Sequence, residues 1–245
     1  MRVILLSCAG APFSAEMLEA LGLDRPELLH HFQAAILSLP HRSPLAGLPK
    51  HKQIAAIVKQ KGWKGLVREA RLAFGHRLHR LKSKIPGAKA LSDSPLRIEA
   101  FCDRHRIPYR YTRDINDSES IAALQALDPD IVLIATFNHI LKREAIGIAR
   151  IATLNVHPSY LPNYRGADPI GAALRDRASE SGVSLHWIDE GIDTGDIAHQ
   201  RAVTIERGSD AVSLRRRLAK TAAELVASTL DDASRGRVPR QPQHG

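Results

Sequence analysis

The run Asp130-Ile131-Val132-Leu133-Ile134-Ala135-Thr136 constrains the fold more than any other stretch of the chain. Its apolar residues do not alternate with polar ones, so both faces of such a strand must be buried. Strands of that kind belong to parallel sheets with helices on either side. Residues 3–8 form a second run of this type. After it come a turn, Gly10-Ala11-Pro12-Phe13-Ser14, and helix-forming residues through Leu21, with Ser14 as the candidate cap. Strand, glycine-containing turn and helix in that order open a doubly wound sheet. Further strands are expected at 108–112, 152–157, 183–188 and 201–205. Helices are expected at 96–105, at 118–127 behind a cap at Asp117, and at 213–230 with an apolar stripe through Leu214, Leu218, Ala222 and Leu225. The fold class is therefore α/β, a Rossmann-like, doubly wound and mostly parallel sheet. We read residues 1–232 as one domain and the polar, proline-containing residues 233–245 as a disordered tail.

Between these halves the rhythm breaks. Pro40, Pro44, Pro49, Pro86 and Pro95 bracket a basic, helix-favouring stretch, read as an insertion over about 41–94 that is short for a core of its own. Eleven Lys or Arg and one acid, Glu69, lie between Lys50 and Lys84. That segment carries +10 of a net +9, so the remainder is close to neutral. It is compatible with phosphates, nucleic acid, an anionic surface, a self-association face or simply a solvated helical arm. Trp63 and Phe74 are its aromatic residues, thin support for base stacking. Cys8 and Cys102 sit in no CxxC pair, the twelve histidines show no HExxH spacing, and no apolar run is long enough to span a bilayer. We expect a cytoplasmic protein with reduced thiols, no metal and no membrane segment. The apolar start reads as a strand rather than a signal peptide.

Asn155 and His157 lie two apart at the end of the 152–157 strand, so their side chains share one face. Pro158 stops the ladder, and ligands of open parallel sheets bind beyond the carboxyl ends of strands. An amide and a protonated imidazole suit a developing oxyanion; the same pair would equally satisfy backbone groups at a strand end. Asp193 follows the 183–188 strand, in a loop between Gly191 and Gly195. There its carboxylate could raise the pKa of His157 or relay a proton from an attacking amine. The order of Asp189, Glu190, Asp193 and Asp196 does not fit a calcium loop. No nucleophile motif such as GxSxG is present, although Ser159 lies near His157 and a Ser–His hydrolase is conceivable.

The joint pattern, NxHPSxLPxYRGxxPI at 155–170 followed by GVSLHWIDEGIDTGDI at 182–197, resembles the folate-dependent formyltransferases. That family includes glycinamide ribonucleotide, methionyl-tRNA and sugar N-formyltransferases. The likeness covers roughly residues 130–205 well and the first strand weakly. It implies an enzyme that moves a formyl group from 10-formyltetrahydrofolate to an amine, with Asn155, His157 and Asp193 on the catalytic positions. It also implies that Phe137, Asn138, His139, Ile140 and Leu141 hold the pterin. Ser159, Tyr160, Leu161 and Pro162, with Asp189, Glu190, Gly191 and Ile192, would complete that pocket. His186 matches a supporting histidine, and Arg165 and Gly166 lie on the acceptor side.

The first turn lacks the Gly-Ser-rich phosphate loop of the glycinamide ribonucleotide branch. The stretch Tyr164-Arg165-Gly166-Ala167-Asp168-Pro169-Ile170 is closer to the tRNA and sugar branches. No counterpart of the tRNA branch's C-terminal barrel follows, so the expected partner is a small-molecule amine such as a nucleotide-linked amino sugar. Nucleic acid is the less favoured partner, and a homo-oligomer is compatible with the sequence. The other readings are a hydrolase releasing formate from the same site, and a folate- or RNA-binding module without catalysis.

Overall fold

The computed structural model describes residues 1–39 and 97–243. Seven strands run through them: β1 (Val3–Cys8), β2 (Phe32–Ser38), β3 (Tyr109–Thr112), β4 (Ile131–Ala135), β5 (Ala152–His157), β6 (Glu180–Trp187) and β7 (Ile197–Thr204). The helices are α1 (Pro12–Asp24), α2 (Ile98–His105), α3 (Ser118–Ala126), α4 (Arg143–Ile146), α5 (Pro169–Arg175) and α6 (Ala211–Ser234), with a 3-10 turn at Pro26–His31. The strands form one sheet in the order β3-β2-β1-β4-β5-β6-β7. Pairing is parallel from β3 across to β5 and antiparallel for β6 and β7. The chain winds outward from β1 to β3, then returns to add β4 and β5 on the other side, the reversal typical of a doubly wound sheet.

Successive strand residues feed opposite apolar layers. Val3, Leu5, Ile131, Leu133, Leu154 and Val156 pack with residues of α1, α2 and α6. Ile4, Leu6, Ile36, Val132 and Ile134 pack with Ile121 and Leu124 of α3 and Ala145 of α4. Burying one such side chain is worth about 1.5–3 kcal/mol. An exposed ion pair such as Arg2–Asp128 contributes about 0–1 kcal/mol, so the two apolar layers hold the sheet.

The local reasons behind two helix starts differ. Asp117 caps α3 by accepting from the Ser120 amide at 2.6 Å, as the sequence implied. At α1 the cap expected from Ser14 is absent. Pro12 occupies the first turn and Ala11 the cap position, without a side-chain bond. The Ser14 hydroxyl instead donates to the Ala135 carbonyl at 2.8 Å and accepts from Ser7 at 2.8 Å, tying α1 to the ends of β1 and β4.

The insertion and the tail stand differently. The 41–94 insertion lies outside the described residues. The tail, read as disordered from residue 233, is placed through residue 243. Gln241 pairs with Ile197 in an antiparallel bridge, and Trp187 Nε1 donates to the Pro239 carbonyl at 2.9 Å. Backbone pairing at the start of β7 orders this stretch, and a reading of polarity alone does not register that. Among the described residues no helix is long and apolar enough to cross a membrane.

Candidate active site

The parity of β5 builds the site. Leu154 and Val156 face the layer of α1, α2 and α6, which turns Asn155 and His157 to the opposite face. The antiparallel partner β6 sets His186 directly across from Asn155 and Ser184 across from His157. The β6–β7 connection then folds back over this face and delivers Asp193. The fold-back is tight: the Trp187 amide donates to the Asp196 carbonyl at 2.8 Å, and a Cβ on Gly195 would lie 1.9 Å from the Trp187 carbonyl oxygen. Asp189 holds the near side of the loop by accepting from the Gly191 amide at 3.0 Å and the Thr194 hydroxyl at 2.8 Å.

Asp193 adopts a left-handed backbone, φ 53°, a conformation that costs a non-glycine residue free energy and persists where the surroundings enforce it. Its carboxylate is the hub. Oδ2 accepts from the Gly166 amide at 2.8 Å and lies 3.5 Å from His157 Nδ1. Oδ1 accepts from Asn155 Nδ2 at 3.3 Å and lies 3.4 Å from His186 Nε2. Asn155 Nδ2 also stands 3.1 Å from His186 Nε2. His186 Nδ1 faces the Trp187 carbonyl at 2.9 Å and so carries the hydrogen there. Its Nε2 then faces both the Asn155 amide nitrogen and Asp193 Oδ1. By the same logic His157 Nε2, 2.9 Å from the Tyr164 carbonyl, donates to it. An amide, two imidazoles and a carboxylate from β5, β6 and the fold-back loop thus meet at one point, as the sequence implied for Asn155, His157 and Asp193.

The charge states are set by competing effects. Burial pushes Asp193 up, but the His186 hydrogen bond, the His157 charge and the Gly166 amide together outweigh it and hold the carboxyl at about 2, so it is ionised throughout the neutral range. For His157 burial is the larger effect and lowers the imidazole below its ordinary 6.5, against the pull of Asp193 and the Tyr164 carbonyl. Burial thus outweighs the upward pull of Asp193 on His157 that the sequence suggested. Both its nitrogens nevertheless face acceptors, so it is built to receive a second proton when negative charge appears beside it. The expected result is a His157 titration midpoint below 6.5, moved lower still by Asp193→Asn, which removes the attraction. NMR of ring-labelled histidine checks both directions.

The other sequence-derived residues divide. Arg165 reaches the loop, donating from Nε to the Asp193 carbonyl at 3.1 Å. Arg143 and Glu190, 3.2 Å apart, join the segment after β4 to the loop, and Phe137 and Ile188 pack on the same apolar cluster. Ile140 and Ile192 are 68% and 61% exposed, which leaves them free to meet a ligand; Tyr160 is also exposed. Leu141, Ser159 and Leu161 are not free: their side chains are enclosed in the protein. Ser159 donates to the Asn163 carbonyl at 2.6 Å, which also argues against a nucleophilic serine. The backbone of Leu161 is taken up by Ser184 and Gln200. His139 Nδ1 accepts from the Ile115 amide at 3.2 Å. Among the described residues no group of three or more potential ligands could hold a metal ion. Sequence reasoning missed Tyr164, whose carbonyl engages His157, and Gln243, whose side chain donates to the Asp193 and Gly195 carbonyls at 2.9 and 2.7 Å. Tyr164 stands in the 155–170 motif but acts through its backbone carbonyl, which side-chain patterns do not mark, and Gln243 sits in a polar tail that gave no signal.

Residues 45–230 match the family model described as Formyl transferase. The methionyl-tRNA formyltransferase of Methylacidiphilum infernorum is 38% identical over 156 residues, 64% of this chain and 48% of its own length. The chain spans about half the length of the curated relatives it matches. Among solved structures, phosphoribosylglycinamide formyltransferase from Streptococcus pneumoniae superposes with a TM-score of 0.60 at 14% identity, covering 95% of this chain and 98% of that one. The sugar 3N-formyl transferase WlaRD, in the presence of dTDP and 5-N-formyl-THF, gives a TM-score of 0.60 at 16% identity, covering 100% of this chain and 67% of that one. Identities this low show the shared fold.

Proposed function

The chain belongs to the formyl transferase family, and from that premise we propose that it transfers the formyl group of 10-formyltetrahydrofolate to a primary amine of its acceptor. The observation that carries this reading is the meeting of Asn155, His157, His186 and Asp193 at the carboxyl end of β5. The pterin fit rests on a second feature. Asn138 donates to the Leu39 carbonyl at 3.3 Å, while its buried Oδ1 finds no hydrogen-bond partner among the described residues. An orphaned acceptor of that kind matches the ring N–H and amino groups of a pterin. The Asp189–Ile192 backbone and the exposed Ile140 and Ile192 would supply the rest of a polar and apolar lining for the donor.

When bound, the donor supplies an electrophilic formyl carbon. Asn155 presents its amide hydrogens toward the formyl oxygen; the bond to Asp193, at 3.3 Å the longer of its two, is the one exchanged for it. Catalytic hydrogen bonds commonly tighten only once substrate is present. The neutral His157 accepts the proton that the attacking amine sheds, and that proton is returned to the N10 nitrogen of the donor as its bond to the formyl carbon breaks and tetrahydrofolate leaves. The resulting imidazolium lies beside both the charge building on the formyl oxygen and the carboxylate of Asp193, so each step of charge separation meets an opposite charge already in place. Asp193, held near 2, acts as that fixed counter-charge and not as the base.

The acceptor is the finer question. The name of the curated relative, at 38% identity, supports the α-amine of a charged tRNA, and the basic 50–84 segment is in keeping with a phosphate-rich partner. The small-molecule amine preferred from sequence draws its support among the compared proteins from fold likeness at 16% identity and takes second place. Glycinamide ribonucleotide fits least. At the turn before α1 the amides of Ala9, Gly10 and Ala11 are taken by the Ser38 carbonyl, Glu99 and the Cys8 carbonyl, and Pro12 has no amide hydrogen. A phosphate at that turn would also meet the Glu99 carboxylate. The test is incubation of the protein and 10-formyltetrahydrofolate with charged Met-tRNA, nucleotide-linked amino sugars, glycinamide ribonucleotide or no amine. Formylated Met-tRNA by mass is the expected result. Formate release alone in every arm would replace the transferase reading with a hydrolase.

A further inference from the structure

The C-terminal strap crosses the same loop that presents Asp193. Its base is fixed at two points, by the Gln241–Ile197 bridge and by Pro239 beneath Trp187 Nε1. Arg240 bonds Asp196 at 2.7 Å and lies 4.8 Å over the Trp187 ring. From that base Gln243 Nε2 donates to the carbonyls of Asp193 and Gly195 at 2.9 and 2.7 Å. Its Oε1 accepts from Arg165 Nη2 at 2.6 Å, and Arg165 Nε donates to the same Asp193 carbonyl. The amide next to Arg165, that of Gly166, holds the Asp193 carboxylate. One side chain of the strap thus clips together the two loops that meet at the catalytic cluster.

We propose that Gln243 is a positioning residue for formyl transfer, fixing the left-handed backbone of Asp193 so that its carboxylate stands opposite His157 and His186. A left-handed aspartate tends to relax to an ordinary conformation unless its peptide groups are held. The loop carries two glycines, Gly191 and Gly195, and little apolar anchoring of its own, since Ile192 points to solvent. The Asp193 carbonyl has two donors, and both belong to the Gln243–Arg165 clip. Releasing the clip would let the carboxylate drift from His157 without unfolding the sheet, because the sheet's apolar layers do not include Gln243.

The inference rests on the transferase reading for its consequence, but the experiment separates the two. Gln243→Ala, and Gln243→Glu as the variant that keeps side-chain bulk but loses the donor, are compared with the wild-type chain by NMR of ring-labelled histidine. The groups facing His157 are Asp193, His186 and the Tyr164 carbonyl, so a displaced Asp193 lowers the His157 midpoint toward the value in Asp193→Asn. In turnover, kcat falls about 10-fold or more while KM for the donor changes by less than about threefold, the pattern of a misplaced catalytic group. A strap that merely stabilises would lower Tm in both variants and leave the His157 midpoint and kcat at wild-type values; that result overturns the proposal. A wild-type protein inactive on every acceptor, with His157 still moved by Gln243→Ala, would remove the transferase reading and keep the positioning role.

Discussion

Asp193→Asn is expected to lower the single-turnover rate of donor consumption by about 10²–10³-fold while leaving the fold intact. The substitution is nearly isosteric. One amide oxygen can still accept from the Gly166 backbone, so the loop keeps that anchor. What disappears is the fixed negative charge 3.5 Å from His157 Nδ1 and the acceptor toward His186 and Asn155. An imidazole that takes a proton during reaction would then do so in a largely buried site without a counter-ion, a state that burial already disfavours. The new amide nitrogen also faces Asn155 Nδ2, so two donors oppose each other. The check is a rapid-quench comparison with the wild-type chain, with near-equal Tm to show that the fold is retained. A rate within about threefold of wild type would remove Asp193 from the chemistry.

The second large effect is expected from Gly195→Ala. The effect is steric and does not depend on the reaction. An added Cβ would sit 1.9 Å from the Trp187 carbonyl oxygen and 2.8 Å from its carbon, and both atoms are backbone. No rotamer relieves such a clash, so the fold-back loop must move as a unit and carry Asp193 with it. Forced overpacking of this kind costs about 1–3 kcal/mol, and displacing a catalytic group by about 1 Å costs about 10²-fold in rate. The Gly195 carbonyl is also one of the two bound by Gln243, so the clip is disturbed at the same time. Gly147→Ala is the matched control: its Cβ would meet the Arg143 carbonyl at an ordinary 3.4 Å. Wild-type turnover is expected there. A fully active Gly195→Ala protein would mean that the loop tolerates displacement and that the placement of Asp193 is not critical.

Much of this architecture was legible in the sequence because local signals and the global fold agree. Residues 131–135 could only be a doubly buried strand, and the two-residue spacing of Asn155 and His157 put both on one face. Asp193 was legible through the motif around it; its position opposite His157 depends on a fold-back that only Gly195 permits. Strand β2 was not legible. Phe32–Ser38 contains Gln33, Ala34 and Ala35, weak strand formers that are paired because β1 and β3 flank them. Helix α5 was missed for a similar reason: its start depends on Asp168 accepting from the Gly171 amide at 3.1 Å within a loop-like stretch. The protonation of His157 could not be read from residue types. It depends on whether burial or the nearby carboxylate has the larger effect, and the enclosure of the strand end decides that. Gln243 lay in a segment whose composition resembles disorder, yet its order comes from backbone pairing to Ile197 and from carbonyls that sequence does not mark.

Asn155 and His157 of β5 and Asp193 of the fold-back loop must act on one formyl carbon as a unit. Groups that act as a unit do not contribute independently, so their combined loss should scarcely exceed the worst single loss. The direct measurement is the single-turnover rate of 10-formyltetrahydrofolate consumption with Met-tRNA for Asn155→Ala, His157→Ala, Asp193→Asn and the triple variant. The account predicts a triple variant no more than about threefold slower than the slowest single variant. Losses that multiply across the three sites, or a triple variant as fast as the wild-type chain, would contradict it.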